Sequence, residues 1–341
     1  FAGVVKLLRK IIKYTLTFEL FGALILATRF VPETNFADGL FKGLFHSVSA
    51  FCNAGFDILK GNSLEPYSLD KVVNVTIMIL IQLGGLGFLV WEDISKCFGE
   101  AIKNKISISK AIKKLALHTK LVLISQVVLV ILGTVFFLGF ENTNSSTIGN
   151  LEFSDKILVS SFQSVSARTA GMSTVDMAEL RDATKLLMIF LMLIGGAPGS
   201  MAGGIKTVTI VVILYGMLAM IKGKKNITIF KKTIPHETYE KAMTVFIFMT
   251  VVTFISVLIV TCNMTENASV LDTTFDLSSS IATVGLSAGT IERMNNIGLF
   301  VNILLMYIGR VGTITTAVAF ILGKPKENDD IVYAKEDVIV G

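Results

Sequence analysis

One short phrase occurs three times and decides how the chain can be organised. It reads Ser47-Val-Ser-Ala-Phe-Cys-Asn-Ala-Gly55, then Ser164-Val-Ser-Ala-Arg-Thr-Ala-Gly171, then Ser279-Ser-Ile-Ala-Thr-Val-Gly285. Each copy places a glycine five or six residues after a serine and sits between long apolar stretches. The three glycines are about 115 residues apart, so the chain carries an internal repeat the size of a small domain. A second glycine pattern follows each phrase, at Gly84 to Gly87, Gly196 to Gly199 and Gly309 to Gly312.

The apolar stretches between phrases are those of a membrane protein. Hydrophobic residues make up 52% of the 341 and charged residues 17%, with a mean hydropathy of +0.69. Six stretches are long enough to cross a hydrocarbon core, near Tyr14 to Val31, Val72 to Val90, Leu121 to Phe140, Lys185 to Met220, Ala242 to Cys262 and Ile297 to Leu322. Lysine and arginine crowd into the ends and two of the connections: four through Lys13, seven from Lys96 to Lys120, six from Lys222 to Lys241 and three in the tail. By the positive-inside rule these are cytoplasmic and the phrases lie outside. The net charge of +5 therefore reports topology, and no nucleic-acid partner is expected.

An amphipathic segment of about eleven residues precedes each phrase (Asp38 to Ser49, Ser154 to Ser166, Asp272 to Ser280), opened by an aspartate or serine suited to an N-cap. Such a helix is only about 17 Å long, enough to dip into a membrane but not to cross it. Its C-terminal carbonyls then face the glycine at mid-depth, a favourable place for a cation. Glycine there permits backbone angles that turn successive carbonyls toward one axis. Carbonyl rings that replace a hydration shell are how potassium filters work, and Thr283-Val284-Gly285 repeats part of such a filter. The filter candidates are Asn53, Ala54, Gly55, Thr169, Ala170, Gly171, Thr283, Val284 and Gly285. Asn53, Thr169 and Thr283 either add oxygen ligands or brace the loop.

The fourth apolar stretch is broken by Gly195-Gly-Ala-Pro-Gly-Ser-Met-Ala-Gly-Gly204, with Lys206 and Thr207 behind it. Pro198 among glycines 195, 196, 199, 203 and 204 cannot stay in a regular helix. The run nearly spells a phosphate-binding loop, but Ile205 intrudes before Lys206 and no strand precedes it, so no nucleotide is expected on this chain. A plug inside the membrane at 195–206, just below the filter, is the better reading. Arg310 near a helix centre costs roughly 2.5 to 3.5 kcal/mol to insert, so it needs a partner, and the carbonyls of Gly195 to Gly204 are the natural one. Arg168 either balances the dipole of its pore helix or helps to hold the filter. A membrane enzyme would need clustered titratable groups in the bilayer, where only Glu19, Lys206 and Arg310 are expected. His46, His118 and His236 lack metal-ligand spacing, and Cys52, Cys97 and Cys262 give no disulfide set.

Five segments, Ser49 to Phe56, Ser166 to Thr174, Gly195 to Thr207, Thr283 to Gly289 and Gly309 to Gly312, resemble the pore segments of the Trk/Ktr/HKT superfamily of potassium transporters. The compact cytoplasmic loops and the Ile-Val-Gly ending are most similar to KtrB-type, or NtpJ-type, membrane subunits. The resemblance implies an all-α polytopic membrane protein with helix, pore-loop, helix repeats around a pseudo-fourfold pore. Three of the family's four repeats are then present: a second repeat at 1–110, a third with the gating loop at 111–240, and a fourth with a cytoplasmic tail at 241–341. The first repeat is expected to lie upstream. The resemblance also implies potassium uptake across the plasma membrane, with sodium as an activating or coupling ion in some members. A homodimer and a cytoplasmic nucleotide-binding regulatory ring (KtrA-like) belong to the same expectation, and the polar tail from Gly323 to Gly341, with its apolar end Val338-Ile-Val, is expected to dock on the partner protomer or the ring. Sodium translocation or association with a sodium ATPase, as in NtpJ-type subunits, is the alternative.

Overall fold

The computed structural model describes residues 2–59, 61, 63–105, 107–264 and 268–311. These contain twelve α-helices and one small hairpin. A long helix, a short helix, the serine-glycine phrase and a returning helix follow one another three times. The long helices are α1 (Ala2–Phe30), α6 (Leu117–Glu141) and α10 (His236–Thr261), and each contains an apolar window long enough to span a membrane. The short ones are α2 (Phe36–Phe51), α7 (Phe153–Ser166) and α11 (Val270–Ile281). At 12 to 16 residues they reach about 18 to 24 Å, short of the roughly 30 Å hydrocarbon core.

The returning helices are the irregular ones. In the first unit α3 (Lys71–Gly85) and α4 (Phe88–Lys103) meet at a 94° bend, so the stretch from Val72 to Val90, long enough to cross a hydrocarbon core, turns at Leu86 and Gly87. Gly87 takes φ +86°, a conformation that side-chain-bearing residues rarely hold, and this turns the chain. The short α5 (Ile108–Lys114) follows α4. In the second unit the expected interruption separates α8 (Asp182–Leu193) from α9 (Thr207–Ile221). A hairpin of β1 (Ile227–Ile229) and β2 (Lys232–Ile234), absent from the sequence reading, ties off the second basic connection. The last unit returns through α12 (Asn296–Val311); Gly312 and the tail lie outside the described residues.

The N-caps also differ from expectation. Asn35, not Asp38, caps α2 and accepts the Asp38 amide at 2.8 Å; Ser269, not Asp272, caps α11; and Glu152 precedes α7 without a side-chain cap bond. Asp272 instead faces Lys185 at the start of α8, 2.6 Å away, and Lys185 is only 5% exposed. This ion pair joins the second unit to the third. At the head of α3, burial acts to raise the Asp70 carboxyl's pKa. The Val73 amide, the Arg29 guanidinium and the Val72 amide outweigh it and hold the group below the ordinary carboxylate value.

Polarity is arranged as a bilayer requires. Phe21, Ile131, Phe254 and Phe300 stand exposed on α1, α6, α10 and α12, the apolar exterior that lipid covers. Inside, one apolar cluster joins Leu26 and Phe51 of the first unit to Phe162 and Met172 of the second, and another joins Phe137 and Met188 to Phe275 and Val284. The second glycine pattern sets how closely the elements pack. A Cβ at Gly84 would lie 1.8 Å from the Phe51 carbonyl oxygen, and one at Gly309 would lie 2.0 Å from that of Ile281. In two units, then, the returning helix rests directly on the C-terminal carbonyls of the short helix. Gly309→Ala should lower thermal stability in detergent by about 1 to 3 kcal/mol, the usual cost of overpacking. Gly99→Ala, where a Cβ meets nothing within 4 Å, should leave the unfolding midpoint unchanged or raise it.

Candidate functional site

The three phrases fold alike and meet. In each, a residue other than glycine and the glycine two positions later take left-handed backbone angles: Asn53 (φ +50°) with Gly55 (+74°), Thr169 (+69°) with Gly171 (+76°), and Thr283 (+53°) with Gly285 (+100°). Such angles are uncommon away from glycine, so three matched pairs reflect a shared constraint. A Cβ built on Gly171 falls 2.1 Å from the Val284 carbonyl oxygen, and one built on Gly55 falls 2.8 Å from that of Ala170 and 3.3 Å from that of Val284. The Ala170 and Val284 carbonyl oxygens therefore lie among the three segments, where side chains would block them.

The recurring serine holds this shape. Ser49 donates through Oγ to the Phe56 carbonyl at 2.6 Å, and Ser166 donates to that of Met172. In the third copy Ser279 Oγ accepts from the Gly285 amide at 3.1 Å. Ser47 and Ser164 fasten the short helices to the long ones, through the Glu19 and Val130 carbonyls. A serine five or six residues before the glycine is thus a backbone clamp, repeated once per unit.

Above the glycines is a polar cavity of about 410 Å³, lined by Gly55, Gly171 and Gly285 and by the acidic Asp57, Glu65 and Asp176. Its wall after the third phrase hangs on Asp276, a residue that the sequence reading passed over. Buried in α11, Asp276 accepts the Ala288 amide at 2.6 Å, the Thr290 amide at 2.9 Å, the Thr290 hydroxyl at 2.6 Å and the Ser287 hydroxyl at 3.1 Å. An acid among serines in a mostly buried short helix was the available signal. Asp276→Asn cannot accept all four bonds, so amide exchange at Ala288 and Thr290 should quicken about tenfold, the scale of one lost bond to a charged group.

Below the glycines lies the segment from Gly195 to Lys206. Its ends are drawn together by a parallel bridge between Ile194 and Ile205, with Gly195 N donating to Ile205 O at 2.9 Å and Ile205 N to Leu193 O at 3.0 Å. The tip fits into the bend between α3 and α4. Ala197 N donates to Gly85 O at 2.9 Å, and Phe88 N donates to Gly199 O at 3.2 Å; a Cβ on Gly87 would stand 2.7 Å from Pro198 O. Gly196 accepts the Thr207 amide at 3.1 Å, and Gly199 (φ +72°) and Gly204 (φ +65°) supply the turns. Gly203 lies against the third phrase, where a Cβ would meet Thr283 Oγ1 at 2.0 Å and Ala282 O at 2.8 Å.

Two cations rest on this loop. Arg310 Nη1 donates to Met201 O at 2.9 Å, and Lys206 Nζ donates to Ala202 O at 2.6 Å. Arg168, on the other side, is 4% exposed and donates through Nη2 to Gly195 O at 3.2 Å and to Gln126 Oε1 at 3.3 Å. Arg168 and Lys185 are thus buried charged groups like Glu19, whereas Lys206 is half-buried and Arg310, expected inside, is exposed and reaches the loop from the surface. The buried side chains of Asn53 and Thr169, and the Thr283 hydroxyl, have no hydrogen-bond partner among the described residues. Thr283 Oγ1 is directed to the loop.

Comparison with known proteins identifies the family and the fold. Residues 2–329 match the family model TrkH, described as a cation transport protein. The chain is 35% identical over 341 residues to the Ktr system potassium uptake protein B of Bacillus subtilis, covering 99% of this chain and 72% of the relative. It is 36% identical to the potassium/sodium uptake protein NtpJ of Enterococcus hirae, covering 100% of this chain and 73% of the relative. The potassium transporter TrkH of Vibrio parahaemolyticus has the same fold, with a TM-score of 0.71 at 18% identity, over 93% of this chain and 64% of that one. With a polytopic helical fold and a family match over nearly its whole length, the chain belongs to the TrkH family of cation transport proteins, not to an enzyme family.

Proposed function

We propose that this chain is the translocating part of a Ktr-type potassium uptake system in the plasma membrane. The observation that carries the reading is the meeting of Gly55, Gly171 and Gly285 around the Ala170 and Val284 carbonyl oxygens. Partly dehydrated monovalent cations would collect in the cavity lined by Asp57, Glu65 and Asp176, exchange water for those carbonyls, and then meet the 195–206 loop. Inward movement of one charge gains about 2.3 kcal/mol per 100 mV. The loop lies across the cytoplasmic side of the third phrase and is held by Arg310 and Lys206, so it would act as the gate. The units 1–110, 111–240 and 241–341 are then pore repeats, with the phrases outside and the basic connections cytoplasmic. A homodimer and a separate KtrA-like nucleotide-binding ring complete the proposed system.

Sodium translocation is the second reading, favoured by the near-equal likeness to a protein named for both ions. Gly285 separates the two, because a side chain fits there: the nearest atom to a built Cβ is 3.6 Å away, and the strain comes from φ +100° alone. The full-length protein should restore potassium-limited growth and rubidium uptake to cells lacking their own systems. Gly285→Ser should raise the potassium concentration needed for half-maximal uptake about tenfold, one strained carbonyl being worth on the order of 1 to 3 kcal/mol. Unchanged affinity in the variant would reduce the phrase to packing, and sodium uptake without potassium rescue would establish the second reading.

A further inference from the structure

Arg168 has an unusual environment for a guanidinium. It is 4% exposed, forms no ion pair among the described residues, and leaves Nε and Nη1 without partners. Its bonds come from Nη2 alone, to Gly195 O and Gln126 Oε1. A buried charge held only by neutral dipoles is costly, and fewer bonds would cost more.

The two acceptors sit on different parts of the machinery. Gly195 opens the 195–206 loop, where its amide also meets Ile205 O. Gln126, in α6, donates to the carbonyl of Gln82 in α3 at 3.3 Å, three residues before the Gly85 carbonyl that receives the loop's Ala197 amide. Along its own chain Arg168 immediately precedes Thr169, Ala170 and Gly171, the second phrase, with its left-handed angles at Thr169 and Gly171. The side chain therefore bonds the base of the loop and the α3–α6 contact beside it, while the backbone of the same residue runs directly into the residues that set the Ala170 carbonyl.

We propose that Arg168 is a positioning residue that couples the loop to the filter: displacement of Gly195 shifts the Ala170 carbonyl, and cation binding at the filter stiffens the loop. This rests on the filter reading given above. When the loop moves, Gly195 O leaves Nη2, and the guanidinium must follow it or seek acceptors nearer the phrase. Either movement pulls on the backbone at Thr169. Coupling is reciprocal, so a cation that fixes Ala170 and Gly171 also favours the docked loop.

The test is hydrogen exchange on the full-length protein in lipid nanodiscs, in potassium and in choline, for the parent, Arg168→Gln and Gln126→Leu. In choline alone, Arg168→Gln should quicken exchange across 195–206 about tenfold, the effect of one lost charge-assisted bond; unchanged exchange there overturns the tether whatever the ion does. In the parent, potassium should slow exchange at both 168–172 and 195–206. In Arg168→Gln the slowing at 195–206 should shrink by about fivefold or more, the low end of ordinary coupling, while that at 168–172 remains. Persistence of the loop's potassium response in the variant overturns the coupling. Absence of any potassium response at 168–172 in the parent overturns the filter reading instead. Gln126→Leu should reproduce the pattern in weaker form and decides the matter if Arg168→Gln does not fold; a wild-type response from Gln126→Leu then counts against the proposal.

Discussion

The structure depends on keeping non-helical backbone hydrogen-bonded inside an apolar environment. Lipid supplies no hydrogen bonds at that depth, and each amide or carbonyl left unpaired against it is expensive. The chain leaves helical geometry there at the three phrases, at the α3–α4 bend and along 195–206. At each of these places other parts of the chain supply hydrogen-bond partners, while the Ala170 and Val284 carbonyls are left facing the neighbouring phrases. The serines clamp the phrases, and the bend and the loop satisfy one another through Ala197 with Gly85 and Phe88 with Gly199. The bend and the loop are thus two halves of one feature.

A second consequence follows from the short helices. Because α2, α7 and α11 end inside the protein, their last carbonyls are available to whatever approaches. Gly84 and Gly309 let the returning helices sit on those ends. The carbonyls beyond them, at Ala170 and Val284, remain unobstructed and turned inward. Cationic side chains keep to the other side, where Arg168, Lys206 and Arg310 each donate to a loop carbonyl. Acidic residues border the cavity on one side of the phrases and basic ones the loop on the other, an electrostatic order that attracts cations to the cavity side.

Much of this order is visible along the chain because it depends on local pattern. The threefold phrase, its period, the apolar lengths and the glycine-proline interruption are properties of sequence alone, and they lead to membrane class, short helices and a broken fourth span. Local pattern misleads where two signals compete. The run from Val72 to Val90 is apolar enough to read as one helix, yet Gly87 at positive φ breaks it, and nothing local says that Pro198 O occupies the space a side chain would need. Asp38 and Asp272 look like helix caps, but Asn35 and Ser269 take those roles, and Asp272 is claimed by Lys185 from another unit.

The sequence by itself determined that the chain enters the membrane repeatedly and pauses there at three equivalent glycines, since hydropathy and repetition need no partner to be read. Only the tertiary structure decided which carbonyl each cationic side chain meets, that Arg168 and Arg310 hold the same loop from different units, and that Asp276 anchors the wall of the cavity. Arg310 and Met201 are 109 residues apart and Arg168 and Gly195 are 27 apart. Such partners are chosen by how closely glycine-lined helices pack, a distance that no local pattern encodes.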